Sequence, residues 1–244
     1  MGSSRFPGKP LATILGRTMI EHVYYRTAMA RSVDMVFVAT CDEEIKHAVE
    51  NFGGNVIMTS PEHQRASDRI AEAVENVDAD IVVMVQGDEP MVVPEMIEAA
   101  VAPMLDSDSI QCVNLAKRIS SEEEYLDPNT IKLVMDRHGN ALYFSREPIP
   151  TKRITDFSSI PVFKQVCIIP FRRDFLLEYA RLEPTSLEQA ESVDMLRILE
   201  HGYRVHLVET DVDSHAVDTP ADLAMVESLM AGDPLISRYQ IKSG

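Results

Sequence analysis

The feature that most constrains this chain is a rhythm. Compact, β-rich apolar runs alternate with stretches whose apolar residues recur at helical spacing. "DMVFVAT" is followed by "DEEIKHAVENFGG", "NVIMTS" by "SDRIAEAVENV", and "ADIVVMVQGDEP" by "PEMIEAAVAPML". The first member of each pair reads as a buried strand and the second as a helix. In "DEEIKHAVENFGG" the acidic opening and the Gly-Gly close mark both helix ends. Strands alternating with helices imply a parallel sheet covered on both faces.

The segments around this rhythm extend it. Leu11, Ile14, Leu15, Ile20, Val23 and Tyr24 lie at helical spacing interrupted by Gly16, which predicts a turn and then a helix over Thr18–Ala30. Beyond residue 105 the pattern changes. "IQCVNLAKRI", "TIKLVMDRHGNALYFSR" and "FKQVCIIPFR" read as longer strands, with a turn at Asp136–Asn140, so antiparallel additions make the sheet mixed. "RRDFLLEYARL" and "EQAESVDMLRILEHG" read as helices, the second stopped by Gly202; "RVHLVET" reads as a strand. "TPADLAMVESLM" reads as a terminal helix capped by Thr219 with Pro220 at its first position. No Ser/Gly linker divides the sequence. The expected organisation is one domain over 1–244 with an inserted β-rich lobe at about residues 110–170.

A net charge of −16 repels phosphate polymers and acidic membranes, which argues against non-specific nucleic-acid binding but leaves room for a phosphate ligand in a local basic pocket. Cys41, Cys112 and Cys167 are widely spaced and odd in number, with neither metal-ligand nor disulfide spacing, and fit a reducing cytoplasm. No secretory signal pattern and no bilayer-length apolar run is present, so no membrane partner is expected.

In open α/β sheets, ligands sit beyond the carboxyl ends of the strands. Three polar constellations fall where such ends are expected: the opening "SSRFPGKP" loop, "VQGDEP" with Asp88, and "HAVDTPADL" with Asp218. Two carboxylates from distant segments, meeting near a basic loop, suit magnesium-dependent phosphoryl or nucleotidyl transfer. Magnesium takes one or two carboxylates and fills its remaining positions with water and phosphate oxygens. Each residue also has a structural reading. Asp88 can bond a tight turn, Asp218 can stand beside a helix cap, and Lys9 alone reads as a solvated lysine. His63 and His215 stand at no metal-ligand spacing, and the scattered methionines read as packing residues.

Taken together, "SSRFPGKPL", "VVMVQGDEP", "DPNTIKLVMD", "ALYFSREPIP" and "VDTPADL" resemble the 3-deoxy-manno-octulosonate cytidylyltransferases, the CMP-Kdo synthetases, in order and with compatible spacing from Gly2 nearly to Met230. The resemblance implies a Rossmann-like, GT-A-like nucleotidyltransferase: a three-layer sandwich with a mixed central sheet and a smaller β-rich lobe that forms a homodimer. It implies transfer of CMP from CTP to the anomeric hydroxyl of Kdo or a related ulosonic acid, a step of lipopolysaccharide biosynthesis, with Mg2+ as cofactor. Lys9, Asp88 and Asp218 match catalytic positions, with Asp88 and Asp218 as metal ligands. Arg5, Lys9, Asp68, Arg69 and Gln86 match the nucleotide side. Gln86, Arg146, Gln165, Glu188 and Glu191 match the side of the acidic sugar.

The sequence also departs from that family pattern. The strand ending "IPAR" that usually precedes the opening loop is absent. The usual "SGTDR" reads "RASDR", "HIGIY" reads "QVCII" with Gln165 for the histidine, and "LEQLR" reads "VDMLR" with Met195 for the glutamine. The sugar side departs more than the metal side, which raises the expectation of a different acidic acceptor. The reading from another class is a catalytically silent, nucleotide-binding paralogue. The retention of Lys9, Asp88 and Asp218 argues against it.

Overall fold

The computed structural model describes residues 6–154 and 156–240. A 3-10 turn at Lys9–Leu11 leads into a small antiparallel hairpin, β1 (Thr13–Ile14) and β2 (Arg17–Thr18), whose turn places Leu15 and Gly16 at positive φ. Then follow α1 (Met19–Thr27), β3 (Phe37–Thr40), α2 (Glu43–Asn51), β4 (Asn55–Met58), α3 (Ala66–Ala73), β5 (Ile81–Val85) and α4 (Pro94–Asp106). The second half holds β6 (Val113–Arg118), α5 (Glu122–Leu126), β7 (Lys132–Met135), β8 (Ala141–Ser145), β9 (Phe163–Val166), β10 (Ile168–Arg172), α6 (Arg173–Tyr179), α7 (Ser186–Glu191), α8 (Met195–Glu200), β11 (His206–Thr210), α9 (Pro220–Met230) and α10 (Pro234–Gln240). The predicted alternation is present element by element through α4. No helix among the described residues is long and apolar enough to cross a membrane.

The chain forms two compact units. The first runs to Gln64, takes in Val85–Glu98 and resumes at Ser214. In it β3 and β4 pair in parallel, with Val38 opposite Val56 and Thr40 opposite Met58. The Asp42 carboxylate caps α2 by accepting the Glu44 N–H at 3.0 Å. Ile14, Met19, Val217, Val226, Met230, Ile236 and Tyr239 share one apolar core. The sequence predicts α9 as the terminal helix, but α10 follows it and docks through polar groups. The buried His22 Nδ1 lies 2.7 Å from the Tyr239 hydroxyl, and the fully buried Arg26 pairs with Asp233 at 2.5 Å. His22 Nε2 faces the Ile14 carbonyl at 2.8 Å. A carbonyl only accepts, so this nitrogen carries the proton and Nδ1 accepts from Tyr239.

The second unit comprises Arg65–Met84 and Ala99–Asp213. Its five-stranded sheet runs β11-β6-β9-β7-β8 and is mixed: β11 pairs with β6 in parallel, and the remaining pairs are antiparallel. The predicted turn at Asp136–Asn140 joins β7 to β8, held by the Asp136 carboxylate accepting the N–H groups of His138 and Asn140. Two expectations need correction. "FKQVCIIPFR" is two strands, because the chain changes partners at Cys167: β9 lies between β6 and β7, whereas β10 pairs with β5. "EQAESVDMLRILEHG" is two helices, because Ser192 adopts the left-handed conformation (φ 54°, ψ 50°) and ends α7.

Candidate active site

The local chemistry of three segments brings Lys9, Asp88 and Asp218 together in the first unit. Gly8 takes φ 74°, a conformation that costs a residue with a Cβ, and this turns the chain into the Lys9–Leu11 helical turn. Asp88 follows β5 in a tight turn closed by the Glu89 N–H donating to the Gln86 carbonyl at 3.2 Å. Asp218 precedes α9. That helix is capped by Thr219 and Asp222 in a reciprocal box, and the Asp218 carboxylate reaches Lys9.

The Lys9 ammonium donates to Asp88 Oδ2 at 2.6 Å and to Asp218 Oδ1 at 3.2 Å. Burial opposes the charge on Lys9. The two carboxylates outweigh it, and the ammonium's pKa lies above its usual 10.5. Asp88 Oδ1 is buried without a hydrogen-bond partner among the described residues. A buried carboxylate oxygen left unpaired is costly in a folded protein unless a ligand completes it. Among the described residues no group of three or more His, Cys, Asp and Glu forms a metal cage. Two hard oxygen donors with one open position instead suit an ion that keeps water and phosphate oxygens in its shell.

The other predicted site residues are placed as follows. Arg5 lies outside the described residues. Gln86 is half-buried in the β5 turn, and Arg69 is half-buried on α3. In the second unit Asp68 and Glu188 meet through Arg197, a residue for which the sequence predicts no role. Its guanidinium reaches Asp68 at 2.9 Å and the buried Glu188 at 2.7 Å. Burial works against that guanidinium, but the two carboxylates raise its pKa beyond the usual range. Arg65 joins the cluster 3.6 Å from both Glu188 and Asp194. Burial raises the Asp194 carboxyl, although Ser67 donates to it at 2.6 Å. Arg146 and Glu191 also meet: the Glu191 carboxylate accepts the Arg146 backbone N–H at 2.7 Å and the Ser145 hydroxyl at 2.9 Å.

Two of the departures take on a physical meaning. Met195 is fully buried among apolar residues such as Leu196 and Ile198, so its thioether fills core. Gln165 donates its amide to Asn114 Oδ1 at 2.6 Å.

The fold is that of an α/β nucleotidyltransferase. The family model described as "Cytidylyltransferase" matches residues 1–210. The sequence is 48% identical over 249 residues to the 3-deoxy-manno-octulosonate cytidylyltransferase of Geobacter metallireducens, covering 98% of this chain and 95% of that protein. It is equally similar, at 48% over 237 residues, to the corresponding protein of Syntrophotalea carbinolica, covering 94% and 95%. The chain belongs to the 3-deoxy-manno-octulosonate cytidylyltransferase family. A solved CMP:2-keto-3-deoxy-manno-octonic acid synthetase complexed with CTP superposes with a TM-score of 0.88 at 41% identity over 94% of both chains. A 4-diphosphocytidyl-2C-methyl-D-erythritol synthase from Anaerococcus prevotii shares the fold alone, with a TM-score of 0.62 at 11% identity over 91% of this chain and 93% of that one.

Proposed function

We propose that this chain couples CTP to Kdo. The anomeric hydroxyl of the sugar acid gives up its proton to solvent as its oxygen bonds to the α-phosphorus, the bond to pyrophosphate breaks, and CMP-Kdo and pyrophosphate leave. The observation that carries this reading is Lys9 held between Asp88 and Asp218. An ammonium kept charged by two carboxylates is positioned to offset charge on a triphosphate without reorganising. Asp88 and Asp218 are the residues that would hold Mg2+, whose charge would offset that developing on the transferring phosphoryl group. The unpartnered Asp88 Oδ1 supports that assignment.

On this reading Arg5, Lys9, Asp68, Arg69 and Gln86 serve the nucleotide, and Gln86, Arg146, Gln165, Glu188 and Glu191 serve the sugar acid. The five-stranded mixed sheet supports a β-rich lobe through which two copies pair, within a GT-A-like three-layer architecture. The three free cysteines support a cytoplasmic setting.

A pyrophosphate-release assay with Kdo and each of the four nucleoside triphosphates tests the reading. CTP with Kdo is expected to give the highest kcat/KM. Equal rates with all four nucleotides, or no release with CTP, would refute it.

A further inference from the structure

We propose that Lys132 is a positioning residue that sets the Arg146 guanidinium for the carboxylate of the acceptor. The inference rests on the reading of Arg146 as an acceptor-side residue. Lys132 lies on β7 between β8 and β9, opposite Ser145 on one side and Lys164 on the other. It is 0% exposed. Its ammonium donates to three backbone carbonyls: Asp127 at 2.8 Å, Thr130 at 2.7 Å, and Arg146. All three N–H bonds are used, and none goes to a carboxylate. A buried ammonium satisfied only by neutral dipoles is an expensive way to fill space. Burial accordingly lowers its pKa from the usual 10.5, with Asp127, Glu147 and Glu191 acting the other way.

What the ammonium gathers is specific. Two of its carbonyls belong to the 127–130 turn, and the third belongs to Arg146. The Arg146 side chain returns to that same turn, donating from Nη1 to the Pro128 carbonyl at 3.2 Å. Its Nε donates to the Glu191 carbonyl at 2.6 Å and its Nη2 to the Ser192 carbonyl at 3.5 Å. The guanidinium is thus held by three neutral carbonyls and by no carboxylate among the described residues. In a chain of net charge −16, an arginine left with its charge uncompensated at hydrogen-bond distance is suited to an anionic ligand. Lys132 fixes the main chain of Arg146 and the turn beneath its guanidinium, so it acts on the acceptor through Arg146 without touching it.

The test is steady-state kinetics on full-length Lys132→Ala with propylammonium, which replaces the deleted atoms, and with propanol as the uncharged control. The expected result is a KM for Kdo raised by about tenfold or more, a KM for CTP within about twofold, and recovery with propylammonium only. A shift of both KM values together, no shift in either, or equal recovery with propanol would overturn the inference. If Lys132→Ala does not fold, Lys132→Met carries the same expectation of a selective rise for Kdo. Failure of both variants to fold would assign Lys132 to folding alone and would also overturn it. Arg146→Ala separates the premise from the inference. An unchanged KM for Kdo in that variant removes the premise, and with it the role of Lys132. A raised value alongside a normal Lys132→Ala removes the Lys132 role only.

Discussion

Val217 donates its backbone N–H to the carbonyl oxygen of Asp88 at 2.9 Å. The bond joins one aspartate of the Lys9 cluster to the residue immediately before the other. It therefore sets the register in which two carboxylates from distant segments face one ammonium. Val217 is fully buried in the core that also contains Ile236 and Tyr239 of α10, so the register rests on packed side chains.

Asp88→Asn keeps the shape of the turn and removes the charge beside the open Oδ1 position. Lys9 retains Asp218 as a partner, so the fold is expected to persist while turnover drops by about 10²-fold or more, as for other losses of transition-state charge stabilisation. Pyrophosphate release measured alongside circular dichroism checks this. Turnover within a few-fold of wild type would argue that Asp88 serves only the turn.

Thr219→Ala removes the side chain that accepts the Asp222 N–H at 3.2 Å and shares the reciprocal cap of α9. The expected cost is about 1 kcal/mol of stability, with Thr219→Ser close to wild type. Urea titrations of the three proteins would read it. Equal midpoints for Ala and Ser would mean the cap contributes nothing.

His22 gives a pH dependence of defined sign. Burial, first, and the charges of Arg26 and Arg17 lower its pKa below the usual 6.5, against the opposing Ile14 carbonyl. Below 6.5 the unfolded chain takes up a proton that the folded chain refuses. Stability therefore rises with pH through that window and is lost as pH falls beneath it. The melting temperature is expected to decline between neutral pH and about pH 5.5, and to decline less in His22→Gln. Identical slopes in the two proteins would remove His22 from the account.

The residues of the candidate site that could be found in the sequence were those fixed by local chain chemistry. Asp88 ends an unmistakable apolar strand, Asp218 stands before a Thr-Pro helix start, and Lys9 follows a Pro-Gly turn. What depended on tertiary contacts was not visible. Ser192 breaks a helical pattern without the glycine that normally marks a left-handed residue. The seven residues of α10 carry little helical signal of their own, and their place is set by His22 and Arg26, more than two hundred positions upstream. Met195 read as a lost polar group because its place in a motif says nothing of the direction its side chain takes, which is into the core. The signal for Lys132 was available: a charged residue within an otherwise apolar strand, which a strand exposed on one face can carry and a buried one must explain.

The Lys9 cluster closes across 79 residues to Asp88 and 209 to Asp218. Those separations impose an order of events during synthesis. A growing chain on the ribosome can bring Lys9 to Asp88 early, yet it lacks the second carboxylate until all of Ala99–Asp213 has emerged. On the proposed reading, chemistry that would consume CTP is thereby withheld from any translation product that stops before Asp218. Long-range closure of this kind is also slow relative to local helix formation, so acquisition of activity is expected to trail acquisition of secondary structure when the denatured protein refolds.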